Sequence, residues 1–255
     1  MELADKVALI TGSTGGIGSA TAELMATAGA QVIVTGRNIE RGESTVRAIT
    51  AAGGQARFIA VDLTDMASLR HLAAAAGAVD ILVNNAAFLP AGPTTSQDVE
   101  SFDLALATNL RAPYFLTSAL VPAMIAKGSG SIVNVSTMGA RVGMPGASTY
   151  SATKAALESL TRTWAAEFGP AGVRVNTVAP GPTRTEMLMA VIGEQGAAQL
   201  SDTTLLDRLA TPREIAEVIY FLATDRAAFV TGTTISADGG RTAVYRNQSG
   251  ATLRR

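Results

Sequence analysis

The sequence predicts an α/β domain: a doubly wound, mostly parallel sheet of about seven strands with helices on both faces. Three observations predict it. Short, almost wholly apolar runs alternate with longer stretches of helical periodicity from Lys6 to Ala237, the pattern of strands covered on both sides. The first apolar run leads straight into a glycine-rich turn and then a helix. Residues able to do chemistry stand at the ends of the runs, at Gly12, Gly36, Asp62, Asn84, Thr137 and Pro180. Sheets of this kind bind ligands beyond the carboxyl ends of their strands.

Taken in order, Lys6–Gly12 is the first strand, followed by Gly15, Gly16 and Gly18 and a helix containing Ala22, Leu24 and Met25 that Gly29 stops. Gln31–Gly36 is the second strand, which completes a right-handed βαβ unit. The missing glycine side chains permit a tight turn and let a pyrophosphate reach the backbone. The helix N-terminus beyond offers free N–H groups and a positive dipole end. An ordinary glycine-rich turn has the same composition, but its place between strand and helix selects the dinucleotide reading.

A helix from about Glu40 to Ala52 precedes the third strand, Ala56–Val61, and Asp62. A helix around Asp65–Ala75 leads to the fourth strand, Val79–Val83, which ends at Asn84-Asn85-Ala86-Ala87. Phe88–Ser96 is a loop, and Ser101–Ala126 is one long helical pattern with irregularities at Pro113 and Pro122. Ser131–Thr137 is the fifth strand, short and β-branched. After a Gly/Pro loop, a helix opens at Tyr150 and runs to Phe168. Gly172–Val178 is the sixth strand, closed by Pro180-Gly181-Pro182. Thr185–Thr204 is the least regular segment. Thr211 N-caps a helix with Pro212 at its first position, and Thr233–Ala237 is the last strand. Residues 1–240 form one domain, and 241–255 form a polar tail.

Composition excludes several function classes. At 47% hydrophobic and 16% charged residues, the 255-residue chain can bury a large core. A net charge of −1 without basic runs argues against nucleic-acid binding. The lack of cysteine rules out disulfides, thiolate catalysis and cysteine-held metal. The single histidine, His71, has no ligand partner of its own type, and no metal site is expected. No basic start with an apolar stretch suggests a signal peptide, and no apolar run reaches membrane-spanning length. The expected compartment is the cytoplasm.

One pair of side chains points to proton transfer. Residues four apart share a helix face, so the Tyr150 hydroxyl and the Lys154 ammonium can be neighbours. A nearby cation favours phenolate and lowers the tyrosine pKa, as a general acid/base at neutral pH requires. The same spacing also suits an amphipathic helix with a snorkelling lysine.

With these motifs in place, the sequence resembles the short-chain dehydrogenases/reductases over about Lys6–Gly240, in the compact single-domain branch that includes 3-oxoacyl-carrier-protein reductases. Thr11-Gly-Ser-Thr-Gly-Gly-Ile-Gly18, Asn84-Asn-Ala-Ala87, Asn109, Tyr150 with Lys154, and Pro180-Gly-Pro-Thr-Arg-Thr185 stand in the family's order and spacing. The resemblance implies a Rossmann fold and hydride transfer between a nicotinamide cofactor and a carbonyl or secondary alcohol. Tyr150 would be the acid/base, Lys154 would lower its pKa and hold the ribose, and Asn109 would anchor a water in a proton relay. Gly12, Ser13, Thr14, Gly16, Ile17 and Gly18 would hold the cofactor pyrophosphate. Asp62 and Leu63 would contact the adenine, Asn85 and Ala86 would line the ribose side, and Pro180, Gly181, Thr183 and Thr185 would hold the nicotinamide.

The sequence departs from the family at the catalytic serine. Thirteen residues before Tyr150 stands Thr137, preceded by Ser136. Successive strand residues face opposite ways, and the spacing selects Thr137. A second departure is Ala87, where the family has glycine.

Thr185–Thr204 would form a lid over the substrate, apolar through Met187, Leu188, Met189, Val191 and Ile192. The substrate is a small molecule, either a 3-oxoacyl thioester or a sugar or small cyclic alcohol. NADP(H) is expected over NAD(H). The second strand ends without a carboxylate, and Arg37 can pair with a 2′-phosphate, although the family's basic position in the glycine turn is Gly15 here. A homotetramer is expected, with Phe102, Leu106, Leu157 and Trp164 at the helical interface. The reading from another class is a non-catalytic nucleotide-binding sensor or scaffold on the same fold.

Overall fold

A computed structural model describes residues 1–244. Seven parallel strands form one sheet in the order β3-β2-β1-β4-β5-β6-β7, so the direction of winding reverses between β1 and β4. The strands are β1 (Val7–Ile10), β2 (Gln31–Gly36), β3 (Gln55–Ala60), β4 (Ile81–Asn84), β5 (Gly130–Val135), β6 (Val173–Pro180) and β7 (Thr234–Ala237). Helices α1 (Gly16–Thr27), α2 (Ile39–Ala51) and α3 (Met66–Ala76) connect the first half. The second half uses α4 (Val99–Leu106), α5 (Ala112–Lys127), α6 (Ser148–Phe168), α7 (Glu186–Ser201) and α8 (Pro212–Ala223).

Alternation along the strands divides the core in two. Ala8, Ile10, Val32 and Val133 pack with Met25 and Ile219 on one face. Leu9, Ile33, Leu82 and Ile132 pack with Leu72, Leu116 and Leu157 on the other. Each fully buried aliphatic side chain stabilises by about 1.5–3 kcal/mol. Because both faces are covered, the strands read as unbroken apolar runs.

Four expectations change. The long helix expected over Ser101–Ala126 is two helices, α4 and α5, joined by a π-helical turn at Ala107–Arg111. Pro113 sits in the first turn of α5, directly after the π-helical turn, and the helix runs on through it. Pro122 lies inside α5 without ending it. The segment expected to be irregular is helix α7, broken at Gly193 (φ 59°, ψ −172°). Among its residues only Ala197 is buried. It lacks a legible apolar stripe because it spans a cavity instead of lying on the sheet.

The expected interface also changes. Leu157 and Trp164 are core residues, while Val99, Phe102, Tyr114, Phe115 and Ile125 are exposed large apolar side chains of α4 and α5. Finally, the domain does not stop at Gly240. The Asp238 carboxylate accepts from the Gly240 and Thr242 backbones at 2.9 and 3.0 Å, which ties the chain down past Arg241. The rest of the expected tail, 245–255, lies outside the described residues. Among the described residues, no helix is long and apolar enough to cross a membrane.

Candidate active site

The carboxyl ends of β1 to β6 open onto one cavity of about 860 Å³. Its floor at one end is the glycine turn. Gly12 has φ 64°, and a Cβ there would lie 2.9 Å from the Ala86 Cα. A Cβ on Gly18 would lie 2.3 Å from the Gly12 carbonyl, so no side chain fits at either place. Asn85 locks this turn from the next strand. Its amide donates to the Thr11 and Gly12 carbonyls at 2.9 and 3.1 Å, and the Thr11 hydroxyl accepts from the Asn85 and Ala86 N–H groups. The result is a bare backbone cradle at the N-terminus of α1, which fits the pyrophosphate of a dinucleotide.

The expected cofactor residues separate in space. Gly12, Thr14, Gly16, Ile17, Arg37 and Asp62 line the cavity, as do Leu63, Asn85, Ala86, Pro180, Gly181, Thr183 and Thr185. Ser13 does not. Its buried hydroxyl donates to the Ile10 carbonyl and accepts from the Thr35 N–H, joining β1 to β2. Gly18 packs beneath the turn and stays off the cavity wall. The Asp62 carboxylate accepts from the Thr64 backbone and hydroxyl, and these bonds hold its pKa below the usual range.

Thr185 N-caps α7 through Leu188. It also abuts the glycine turn, its methyl 3.3 Å from where a Gly16 Cβ would stand. Helix α7 therefore starts directly on the cradle.

At the other end, β5 delivers two hydroxyls that turn opposite ways. Ser136 donates to the buried Glu158 carboxylate at 2.9 Å, and Arg141 completes that cluster from outside. Thr137 is extended (φ −160°, ψ 153°), its hydroxyl accepts from the Gly139 N–H at 3.2 Å, and it draws the Tyr150 phenol pKa down. Helix α6 places Lys154 one turn on from Tyr150. The lysine is almost wholly buried, donates to the Val135 carbonyl at 2.7 Å, and lies 5.8 Å from the centre of the Tyr150 ring.

The electrostatics differ from expectation. Burial pushes the Tyr150 phenol up to about 12, against the smaller pull of Thr137, and pushes Lys154 down to about 8. Desolvation is thus the largest influence on both groups.

Asn109 also differs. Fully buried in the π-helical turn, it accepts from the Phe88 N–H at 2.8 Å and donates to the Phe88 carbonyl and the Thr153 hydroxyl. Both amide protons are used, so the side chain clamps the loop after β4. Thr153 in turn donates to the Tyr150 carbonyl at 2.7 Å, which ties the clamp to the turn carrying Tyr150.

Two cationic residues on this cavity were not apparent from the sequence. Arg41 reaches back from α2 so that its guanidinium lies 3.0 Å from the place of a Gly15 Cβ. It also pairs with Glu186, the first residue of α7. Arg41 thus occupies the space that a side chain in the glycine turn would take. Arg241 is the other. Only its three-dimensional placement reveals it, for nothing in the spacing of the C-terminal segment points to the cavity. Among the described residues, no cluster of acidic or histidine side chains could hold a metal ion.

Comparison with known proteins fits this geometry. The profile of the family described as Enoyl-(Acyl carrier protein) reductase matches residues 12–242. The cis-4-hydroxycyclohexanecarboxylate dehydrogenase of Sinomonas cyclohexanicum is 39% identical, covering 94% of this chain and 98% of its own. A solved short chain dehydrogenase/reductase family protein superimposes with a TM-score of 0.90 at 52% identity, over 96% of this chain and 100% of that one. A gluconate 5-dehydrogenase from Burkholderia cenocepacia J2315, solved with NADP and tartrate, does so with 0.89 at 31%, over 96% and 98%. The cradle, the Tyr150–Lys154 helix and these likenesses agree, and the chain belongs to the short-chain dehydrogenase/reductase family, as an NAD(P)-dependent oxidoreductase.

Proposed function

We propose that the protein interconverts a carbonyl compound and its secondary alcohol, with NADP(H) preferred over NAD(H) and Tyr150 as general acid and base. The observation that supports it best is that Tyr150, Thr137 and Lys154 open on the same cavity as the glycine cradle and the 180–185 segment. A bound nicotinamide supplies or accepts the hydride. Tyr150 gives its proton to the substrate oxygen in reduction and takes it back in oxidation. Its raised pKa keeps it in the donor form at neutral pH, which suits reduction. Thr137 holds the same oxygen. Lys154, near 8, changes charge close to the working range and so can respond to what binds above it. Asn109 is a positioning residue, acting through Phe88 and Thr153.

The NADP preference rests on Arg37 together with Arg41. Both line the cavity beside the glycine turn, and no carboxylate closes the end of β2. A charge-assisted contact to a 2′-phosphate contributes about 1.5–3 kcal/mol. A homotetramer is the assembly that the exposed Phe102, Tyr114 and Phe115 favour, since faces of this kind are covered in assemblies.

The test is NADPH consumption against a panel of ketones. Tyr150→Phe should lose about two to four orders of magnitude in rate while keeping NADPH affinity. A variant with wild-type turnover would overturn the mechanism. In the same assay, Arg37→Ala and Arg41→Ala should each shrink the NADPH-to-NADH ratio of kcat/KM by about tenfold or more. A wild type that favours NADH, or a ratio that neither change moves, would remove the cofactor assignment.

A further inference from the structure

The lid spans the cavity. Its first residues stand on the glycine cradle, through Thr185 against Gly16 and Glu186 against Arg41. Its far end rests on the segment after β7. Cβ atoms on Gly239 and Gly240 would lie 3.2 Å from Thr204 and 2.6 Å from Leu205, and the Leu205 N–H donates to the Gly239 carbonyl. Arg241 follows immediately, half-buried, and lines the cavity together with Leu200 of the lid's second half.

The Arg241 guanidinium has no hydrogen-bond or ion-pair partner among the described residues. Asp238 is the carboxylate that acts on it, yet both Asp238 oxygens are taken by Gly240 and Thr242. The other charges on the wall are either bonded to other groups or set at the glycine-turn end of the cavity. Lys154 holds Val135, Glu186 holds Arg41, and Arg37 and Asp62 lie at the ends of β2 and β3. What surrounds the remaining space is apolar, with Met138, Met144, Met187, Leu188 and Leu200. An arginine drawn partly out of water, with its fork unpaired, is the natural receptor for a planar anion. A guanidinium left unpaired there would cost free energy that such an anion recovers.

We infer that Arg241 is a substrate-binding residue and that the substrate is a small ketone or secondary alcohol whose apolar body ends in a carboxylate. This rests on the hydride-transfer reading for the carbonyl end and adds the recognition of the other end. The carbonyl oxygen meets Tyr150 and Thr137, the skeleton meets the methionines and leucines, and the carboxylate takes the Arg241 fork. Reduction moves a hydride to the carbonyl carbon and the Tyr150 proton to its oxygen, and the carboxylate is unchanged.

The experiment compares 4-oxocyclohexanecarboxylate with its methyl ester, which has the same skeleton without the charge, in NADPH-dependent reduction. The wild type should favour the acid at least tenfold in kcat/KM. Arg241→Ala and Arg241→Met should bring the ratio near one by raising KM for the acid, and Arg241→Lys should keep part of the preference. A ratio unmoved in a folded Arg241→Met protein, or a wild type that favours the ester, would overturn the assignment. Calorimetric binding of cyclohexanecarboxylate to the NADPH-loaded protein decides it without turnover. At least tenfold weaker binding in Arg241→Met supports the site, and equal binding removes it. Arg241-dependent binding with no reduction of any ketone would sink the hydride-transfer reading and leave the carboxylate site standing.

Discussion

The glycine turn and the lid share one cavity and are held by opposite means. At the turn, backbone touches backbone: Gly18 lies where a Cβ would be 2.3 Å from the Gly12 carbonyl, and Asn85 adds two hydrogen bonds. At the lid, Met187 and Val191 remain 66% and 75% exposed, and no atom lies within 4 Å of a Cβ on Gly193. An exposed ion pair, Arg184 with Glu194, spans the bend, and such pairs contribute about 0–1 kcal/mol. One end is rigid where a ligand of constant shape is expected. The other is held loosely where a substrate must enter and leave.

The sharpest break of that comparison is by methyl groups. Gly18→Ala forces the turn apart and should cost about 1–3 kcal/mol of stability, with NADPH affinity reduced about a hundredfold or beyond measurement. Gly193→Ala meets no neighbour and carries only its backbone strain, about 1–3 kcal/mol and local. Its NADPH affinity should stay within about twofold while substrate KM changes. Calorimetric titration of both variants with NADPH checks this, and equal losses at the two glycines would erase the distinction.

A smaller effect separates the hydroxyls at the end of β5. Thr137→Ala should lower kcat about a hundredfold, as loss of one donor to a reacting oxygen does. Ser136→Ala should act on stability, by about 1–3 kcal/mol, because it strips a bond from the buried Glu158. Parallel measurements of kcat and melting temperature sort them. The reverse pattern would mean that Ser136 faces the substrate.

The smallest effect depends on pH. With the Lys154 pKa lowered from 10.5 to about 8, the folded protein binds fewer protons than the unfolded chain between those values. Stability contributed by this residue therefore rises with pH across that window. Lys154→Met removes the buried charge, so it should be more stable than wild type below pH 8, by up to about 3 kcal/mol. The gain should fade as pH approaches 10. Denaturant unfolding at pH 7 and 9.5 measures it, and a difference that did not change with pH would show that folding leaves the Lys154 pKa unshifted.

Much of the fold and part of the site were legible in the residues alone. The apolar runs became strands because both sheet faces are covered, and the glycine spacing became the cradle because a turn that tight excludes side chains. Tyr150 and Lys154 share a face because α-helical geometry is local. Other features were not legible. The helical lid has no periodic stripe, since it covers a cavity. The π-helical turn at Asn109 leaves no periodic mark, and Leu157 and Trp164 look the same in sequence whether they face a core or a partner.

The sequence by itself determined the order of strands and helices, the cradle, and the spacing of Thr137, Tyr150 and Lys154, all consequences of backbone geometry over a few residues. Tertiary structure alone decided the electrostatics and the long-range partners. It put Arg41 against Gly15, Ser136 against Glu158 and Arg241 beside the lid. It also raised the Tyr150 pKa where the neighbouring lysine suggested the reverse. The reason is physical: desolvation and charge act through space, and the groups that exclude water from Tyr150 come from strands and helices far apart in the chain.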